Sequence, residues 1–323
     1  MNPDWQKYAE KDAWLGAKQD RKRRTRVKTA RRGNGRKWGL VAFVAILAAT
    51  TAVVVVLGRD SRAGSSAAPT AVNPTSVAAI AHVDLARPYA NTPADVWKKG
   101  LEGITSPAPA AVGKFKADAV AAAYEKVRQA ISAARLDPAV LYQHDTKNYV
   151  AVFAPDMQDY MRPVIASKPK NDGTPDFSSY VTEVADGYHL LDQGPRTFGT
   201  LTARAGEKPG ELIVEAKIVI AYAFDNVHPE GLTHPGEIVS FQRTDESYLI
   251  RSGTSFAKTS VGLWLTSGDT ALSSGGCEAA KQGFLAPGYT NANLTATGPD
   301  VDKEGPGYYD PQYAVPNLDT CPK

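Results

Sequence analysis

The stretch "FDNVHPEGLTHPGE" gathers Asp225, His228, Glu230, His234 and Glu237 into one short segment. Imidazole and carboxylate are ligand types that zinc accepts, and a loop can bring them together for metal-assisted hydrolysis. His228, His234, Glu230 and Glu237 are therefore the candidate metal ligands, with zinc the only cofactor the sequence suggests. Their spacing matches no helix-borne pattern such as H-E-x-x-H. Pro229, Gly231, Pro235 and Gly236 equally suit an exposed connection between strands.

A second candidate is "SFAK", Ser255 to Lys258, which has the S-x-x-K form of penicillin-interacting serine enzymes, while "KTS" from Lys258 approaches K-T-G. One lysine cannot serve both motifs, and the S-D-N element is missing. G-x-S-x-G, Walker and G-x-G-x-x-G patterns are also missing, and His82, His144 and His189 stand alone. No catalytic residue is assigned.

Compartment follows from the N-terminal part. Residues 1–37 hold 13 Lys and Arg against 4 Asp and Glu, whereas the remaining residues hold 24 against 30. The basic character of the 323-residue chain belongs to one arm, and the acidic body argues against nucleic-acid binding. Trp38 to Leu57 is free of charged residues, His, Asn, Gln and Pro. A helix of that length, at about 1.5 Å per residue, matches the hydrocarbon core of a bilayer. The arginine-rich arm before it predicts a cytosolic N-terminus and an uncleaved, single-pass plasma-membrane anchor, with everything beyond Leu57 outside. The arm is also expected to attract anionic membrane lipid. Residues 58–78, small, polar and broken by Pro69 and Pro74, read as a flexible linker.

Cys277 and Cys321 are the only cysteines and fall on the outer side of this topology, where disulfides persist. Pairing them tethers a Gly/Pro-rich tail. The chain-entropy estimate for such a loop is about 4 kcal/mol.

The elements that must position these residues come next. Thr92-Pro93-Ala94-Asp95 predicts a capped short helix through about Lys99. Val120, Tyr124, Val127 and Ile131 form a stripe that predicts an amphipathic helix over 115–135, stopped at Leu136-Asp137-Pro138, where a successor starts. Residues 146–165 predict a helical segment broken at Pro155, with Tyr149, Phe153, Met157, Tyr160 and Met161 in the core. In "ELIVEAKIVIAYAF" Leu212, Val214, Ala216, Ile218, Ile220, Tyr222 and Phe224 share one strand face, opposite Glu215 and Lys217. Strands are also expected over 198–204, 237–251 and 258–272. Helices followed by strands predict an α+β domain over 79–323, with N-terminal helices packed on an antiparallel sheet.

"GGCEAAKQGFLAPGYT", "YYDPQYAVPNLDTCPK" and "AVAAAYEKVRQAISAARLDP" resemble segments of uncharacterised single-pass extracytoplasmic proteins of Streptomyces-like actinobacteria, over about residues 84–323 and including both cysteines. Relatives tend to carry an acidic-glycine-aromatic step followed by His-Pro, where this chain has Gln282-Gly283-Phe284 and Ala286-Pro287. The resemblance implies no established activity. A helix-then-curved-sheet order also resembles NTF2-like domains. The expected function is a non-catalytic binding or assembly module of the cell envelope, with an envelope protein or cell-wall ligand as partner. A cell-wall-directed metal-assisted hydrolase and a regulator signalling through the cytosolic arm are the alternatives.

Overall fold

Why β4 (Glu211–Ala223) is a strand, and where it is covered, can be read from its pattern. Its inward set, Leu212, Val214, Ala216, Ile218, Ile220 and Tyr222, with Phe224 just beyond, lies in the main core. Glu215 and Lys217 point outward to Arg204 at 2.7 Å and Asp245 at 4.0 Å. From Val219 onward the outward side turns apolar too: Val219, Ala221 and Ala223 belong to a second cluster on the opposite face. A strand alternates where one face is wet and becomes continuously apolar where both are covered.

The structure is a computed structural model that describes residues 83–169, 176–291 and 308–315. The arm at 1–37, the apolar run at 38–57, the linker at 58–78 and His82 lie outside the described residues. Among the described residues no helix is long and apolar enough to cross a membrane.

Around β4 the sheet runs β1 (Lys98–Lys99), β3 (Arg196–Ala205), β4, β5 (Val239–Arg251) and β6 (Gly262–Ser273), with β2 (Ile104–Thr105) also on β3. All pairings are antiparallel except β2 with β3. The fold is thus α+β with an essentially antiparallel sheet. Gly199 of β3 passes so close to β4 that a Cβ there would stand 2.5 Å from the Lys217 carbonyl oxygen, which is why this position has no side chain.

In β6 the register shifts between Ser247/Ser267 and Tyr248/Leu265, leaving Thr266 as an extra residue. The bulge changes parity. Leu263 and Leu265 before it and Gly268, Thr270 and Leu272 after it therefore face the same side, opposite the inward residues Ile250, Tyr248, Glu246, Thr244 and Gln242 of β5.

The inner face is covered by helices. In α1 (Ala117–Arg135) Val120, Tyr124, Val127 and Ile131 are buried as the stripe predicts, and Ala123, Ala130 and Ala134 widen it. Asp137 caps α2 (Pro138–Gln143) by accepting the Ala139 N–H at 2.9 Å, with Pro138 preset at the first helical position. α3 (Lys147–Ala151) and α4 (Pro155–Ile165) are separated at Pro155 as expected. Tyr149, Phe153, Met157 and Met161 are core, but Tyr160 is exposed on the far side of α4. Two short helices complete the set, α5 (Phe177–Tyr180) and α6 (Cys277–Lys281), the latter after the last strand. The helix expected through Lys99 is one turn, Pro93–Val96, capped by Thr92. Lys98 and Lys99 instead pair with β3, because a sheet edge offers their backbone partners that a single turn cannot.

The outer face is covered by segments with no more than single helical turns. Tyr89, Ala94 and Trp97 from the N-terminal side, and Tyr308 and Tyr309 from the C-terminal tail, pack on Val219, Ala221 and Phe241. Arg243 of β5 clamps that tail. Fully buried, it donates to the Pro311 and Tyr313 carbonyls at 3.1 and 3.2 Å, to Ile218 and Thr244 carbonyls, and ion-pairs with Asp245. Arg243→Met is expected to lower unfolding free energy by about 3 kcal/mol, since it strips four carbonyls of a donor. Urea melts should show the loss, and limited proteolysis should show faster cutting between Tyr308 and Val315.

Candidate functional site: a neutral cavity above a buried ion pair

Arg135 lies in the last turn of α1, where a cation suits the helix dipole, yet it is 1% exposed. Its guanidinium donates to Glu246 Oε1 at 2.9 Å and to Thr182 Oγ1 at 3.1 Å. Tyr248, also buried, donates its hydroxyl to Glu246 Oε2 at 2.6 Å. Burial alone would pull the Arg135 pKa down, but the Glu246 charge more than offsets this and holds it above its ordinary value. Burial pushes the Tyr248 and Tyr149 phenols well up, helped by the Glu246 charge, and the Tyr222 phenol up to about 12.

The two last carbonyls of α1 are satisfied by the same group of residues. The Thr182 N–H donates to the Ala134 carbonyl at 2.9 Å, and the Tyr222 hydroxyl lies 3.1 Å from the Arg135 carbonyl. Thr182 Oγ1, which already receives an Arg135 N–H, donates onward to Gln242 Oε1 at 2.6 Å. That bond orients the Gln242 amide: Oε1 faces inward, and Nε2 is left without a partner among the described residues, although Gln242 is only 7% exposed.

Above this layer sits a cavity of about 300 Å³. Its walls are Ser178 and Ser179 of α5 with Val181 and Thr182 after it, Gln242 of β5, Gly268, Thr270 and Leu272 of β6, and Ala280, Gly283, Phe284 and Leu285 around the end of α6. α6 closes in a Schellman turn, with N–H bonds from Gly283 to Ala280 and from Phe284 to Ala279, both 3.0 Å. Gly283 has φ +85°, and a Cβ there would meet Phe177 and Pro169 atoms at 2.8 Å. The turn sends Phe284 against Phe177 and His144, with centroids 5.1 and 5.4 Å away. Among the described residues no charged side chain lines the cavity.

The residues singled out for metal chemistry have other uses. Glu237 Oε2 accepts the Thr233 and His234 N–H groups, both at 2.7 Å, and His234 Nδ1 accepts the Gly236 N–H at 3.2 Å, which makes a capping box for the turn Pro235–Glu237. His228 and Glu230 form an exposed pair at 3.2 Å. Asp225 accepts its neighbour's N–H, from Asn226, at 2.8 Å. Among the described residues no group of three or more His, Cys, Asp or Glu is placed to hold a metal, so these side chains do not fit a zinc site. Ser255 and Lys258 are exposed in the β5–β6 connection, with Ser255 outside any helix. His189 is exposed beside Tyr142. His144 lies 3.1 Å from the Val184 carbonyl and 3.7 Å from Glu183. Cys277 begins α6 and is not a free thiol. Cys321 lies outside the described residues.

Sequence reasoning passed over Arg135, Thr182, Gln242 and Glu246. The available signal was parity, since Gln242, Thr244 and Glu246 share a strand face with Tyr248. Compared with protein-family models, with curated proteins and with solved structures, the chain matches none. The geometry of the cavity therefore carries the functional reading.

Arg135→Met should cost about 3–5 kcal/mol by stranding the Glu246 carboxylate, and Arg135→Met with Glu246→Met should recover at least half of that loss in urea melts. Glu183 gives a pH signature. Burial raises its carboxyl pKa above 4.5, against a smaller lowering by His144. A raised carboxyl pKa means the folded state binds the proton more tightly, so Glu183 adds stability as pH falls from its folded pKa toward 4.5. Glu183→Gln should flatten the stability profile in that window and raise stability at neutral pH.

Proposed function

We propose that this chain is a membrane-anchored, extracytoplasmic binding module of the cell envelope, with its ligand site in the cavity between α5, α6 and the inner face of β5 and β6. In this reading residues 38–57 span the plasma membrane once, the N-terminal arm stays in the cytosol against anionic lipid, and a Cys277–Cys321 disulfide tethers the tail. The observation that carries the reading is the free Nε2 of Gln242, a nine-tenths buried amide donor that lines the cavity with no partner among the described residues. This nitrogen opens onto the cavity, where water can hydrate it, so a ligand that displaces that water must bring an acceptor in its place. Binding rather than turnover is favoured because Glu246, the carboxylate beneath the cavity, is held by Arg135 and Tyr248 and so is not available as a base.

Gly268 offers the test. Its Cβ would make only an ordinary 3.5 Å contact with Glu246, so Gly268→Val should fold while filling the cavity. A thermal-shift screen on the full-length protein should yield compounds that stabilise the wild type, by about 2.7 kcal/mol at a hundredfold excess over Kd, and not Gly268→Val. Hits that stabilise both proteins equally would sink the cavity as the site. A reporter fused after Lys323 should be active only as an exported enzyme, and activity in the cytosol would overturn the topology.

A further inference from the structure

We infer that the cavity takes an uncharged, hydroxyl-rich ring, a single sugar unit, whose acceptor oxygen sits on Gln242 Nε2; this rests on the cavity being the ligand site. Three features of the wall select that class. The first is charge. Among the described residues no Asp, Glu, Lys, Arg or His lines the cavity, and the ion pair beneath it, Arg135 with Glu246, is already neutralised at 2.9 Å. An anion or cation entering here would surrender hydration and meet no opposite charge.

The second feature is the set of open hydrogen-bonding groups. Besides Gln242 Nε2, the solvent-exposed hydroxyls of Ser179 and Thr270 at the cavity rim have no protein partner among the described residues, and all three are neutral. Hydroxyls on the ligand can both donate and accept, so a polyol can pair with an amide N–H and with side-chain hydroxyls alike. A purely apolar ligand would exclude water from Gln242 and return nothing. The third is the apolar surface interleaved with these groups, where Val181, Leu272, Phe284 and Leu285 offer contact for the C–H face of a ring. About 300 Å³ is at the small end of ligand pockets, which limits the occupant to about one ring with its substituents. Gly268, by lacking a side chain, leaves that part of the cavity open.

The experiment is an NMR titration of the full-length protein in detergent micelles, observing the Gln242 side-chain amide and the methyls of Val181, Leu272 and Leu285. The probes are glucose, N-acetylglucosamine, glucuronate, glucosamine and benzene. Glucose or N-acetylglucosamine should shift these signals with a Kd of about 1 mM or tighter. Charged glucuronate and glucosamine should bind at least tenfold more weakly, and Gly268→Val should weaken the neutral sugar at least tenfold with its melting temperature preserved. Thr270→Val, at an exposed strand position, should weaken it by about threefold to tenfold, as the loss of one hydrogen bond predicts. If a charged sugar binds as well as its neutral counterpart, the class is wrong. If benzene shifts the same signals and no sugar does, the sugar is excluded while the cavity survives as a binding site. If none of the probes moves the Gln242 amide, the sugar proposal is overturned; hits in the stability screen that Gly268→Val abolishes would still uphold the site.

Discussion

The ion pair between Arg135 and Glu246 is the constraint on which the interior is arranged. It joins the last turn of α1 to the middle of β5, two elements 111 residues apart. Both ends are fully desolvated, so neither can move without stranding a charge. Thr182, Tyr248, Tyr222 and Gln242 are then placed by the lone pairs and protons that the pair leaves over. The network is not complete: Arg135 Nε is buried without a partner among the described residues. One missing hydrogen bond is the cost of a position that aims the other two nitrogens at Glu246 and Thr182.

The second organising fact is that the sheet is covered twice. Helices cover the inner face, as the amphipathic stripes of α1 and β4 require, while several chain segments of little regular structure cover the outer face. Arg243 does for the outer face what Arg135 does for the inner one. It is a buried guanidinium with every hydrogen-bonding partner but Asp245 a backbone carbonyl, so it fastens the tail by main-chain chemistry and without regard to the tail's side chains.

How much of this was legible in the sequence depended on whether a residue's type agreed with its surroundings. The α1 stripe, the Asp137-Pro138 start and the alternation of β4 were readable because local pattern and tertiary burial ask for the same residues there. The short helix at Thr92 was read too long because β3 competes for Lys98 and Lys99. The polar core was not readable. Arg135 at a helix C-terminus and Glu246 within "TDESY" look like solvent-facing charges, and only their meeting across the fold makes them interior. The β6 bulge concealed parity in the same way, since Leu265 and Leu272 cannot share a face in an unbroken strand. The histidines misled for the opposite reason. His234 and Glu237 are conspicuous ligand types, but a turn opening on Pro235 needs N–H acceptors, and both were used to cap it.

These constraints converge on the cavity. Gln242 and Arg243 are neighbours on β5 and point to opposite faces, so the strand that presents the free amide is pinned from behind by the tail. The wall that contains Phe284 grows from α6, which starts at Cys277 and ends in a turn that only Gly283 fits. The Thr182 side is held by Arg135 and by the Ala134 carbonyl. Three walls from distant parts of the chain are each fixed on their outer side, which leaves the polar groups facing the cavity little freedom to lose when a ligand arrives. A weakly polar, uncharged site can bind usefully only if that ordering cost is already met by the fold. The two buried arginines, neither of which touches the cavity, are what meet it.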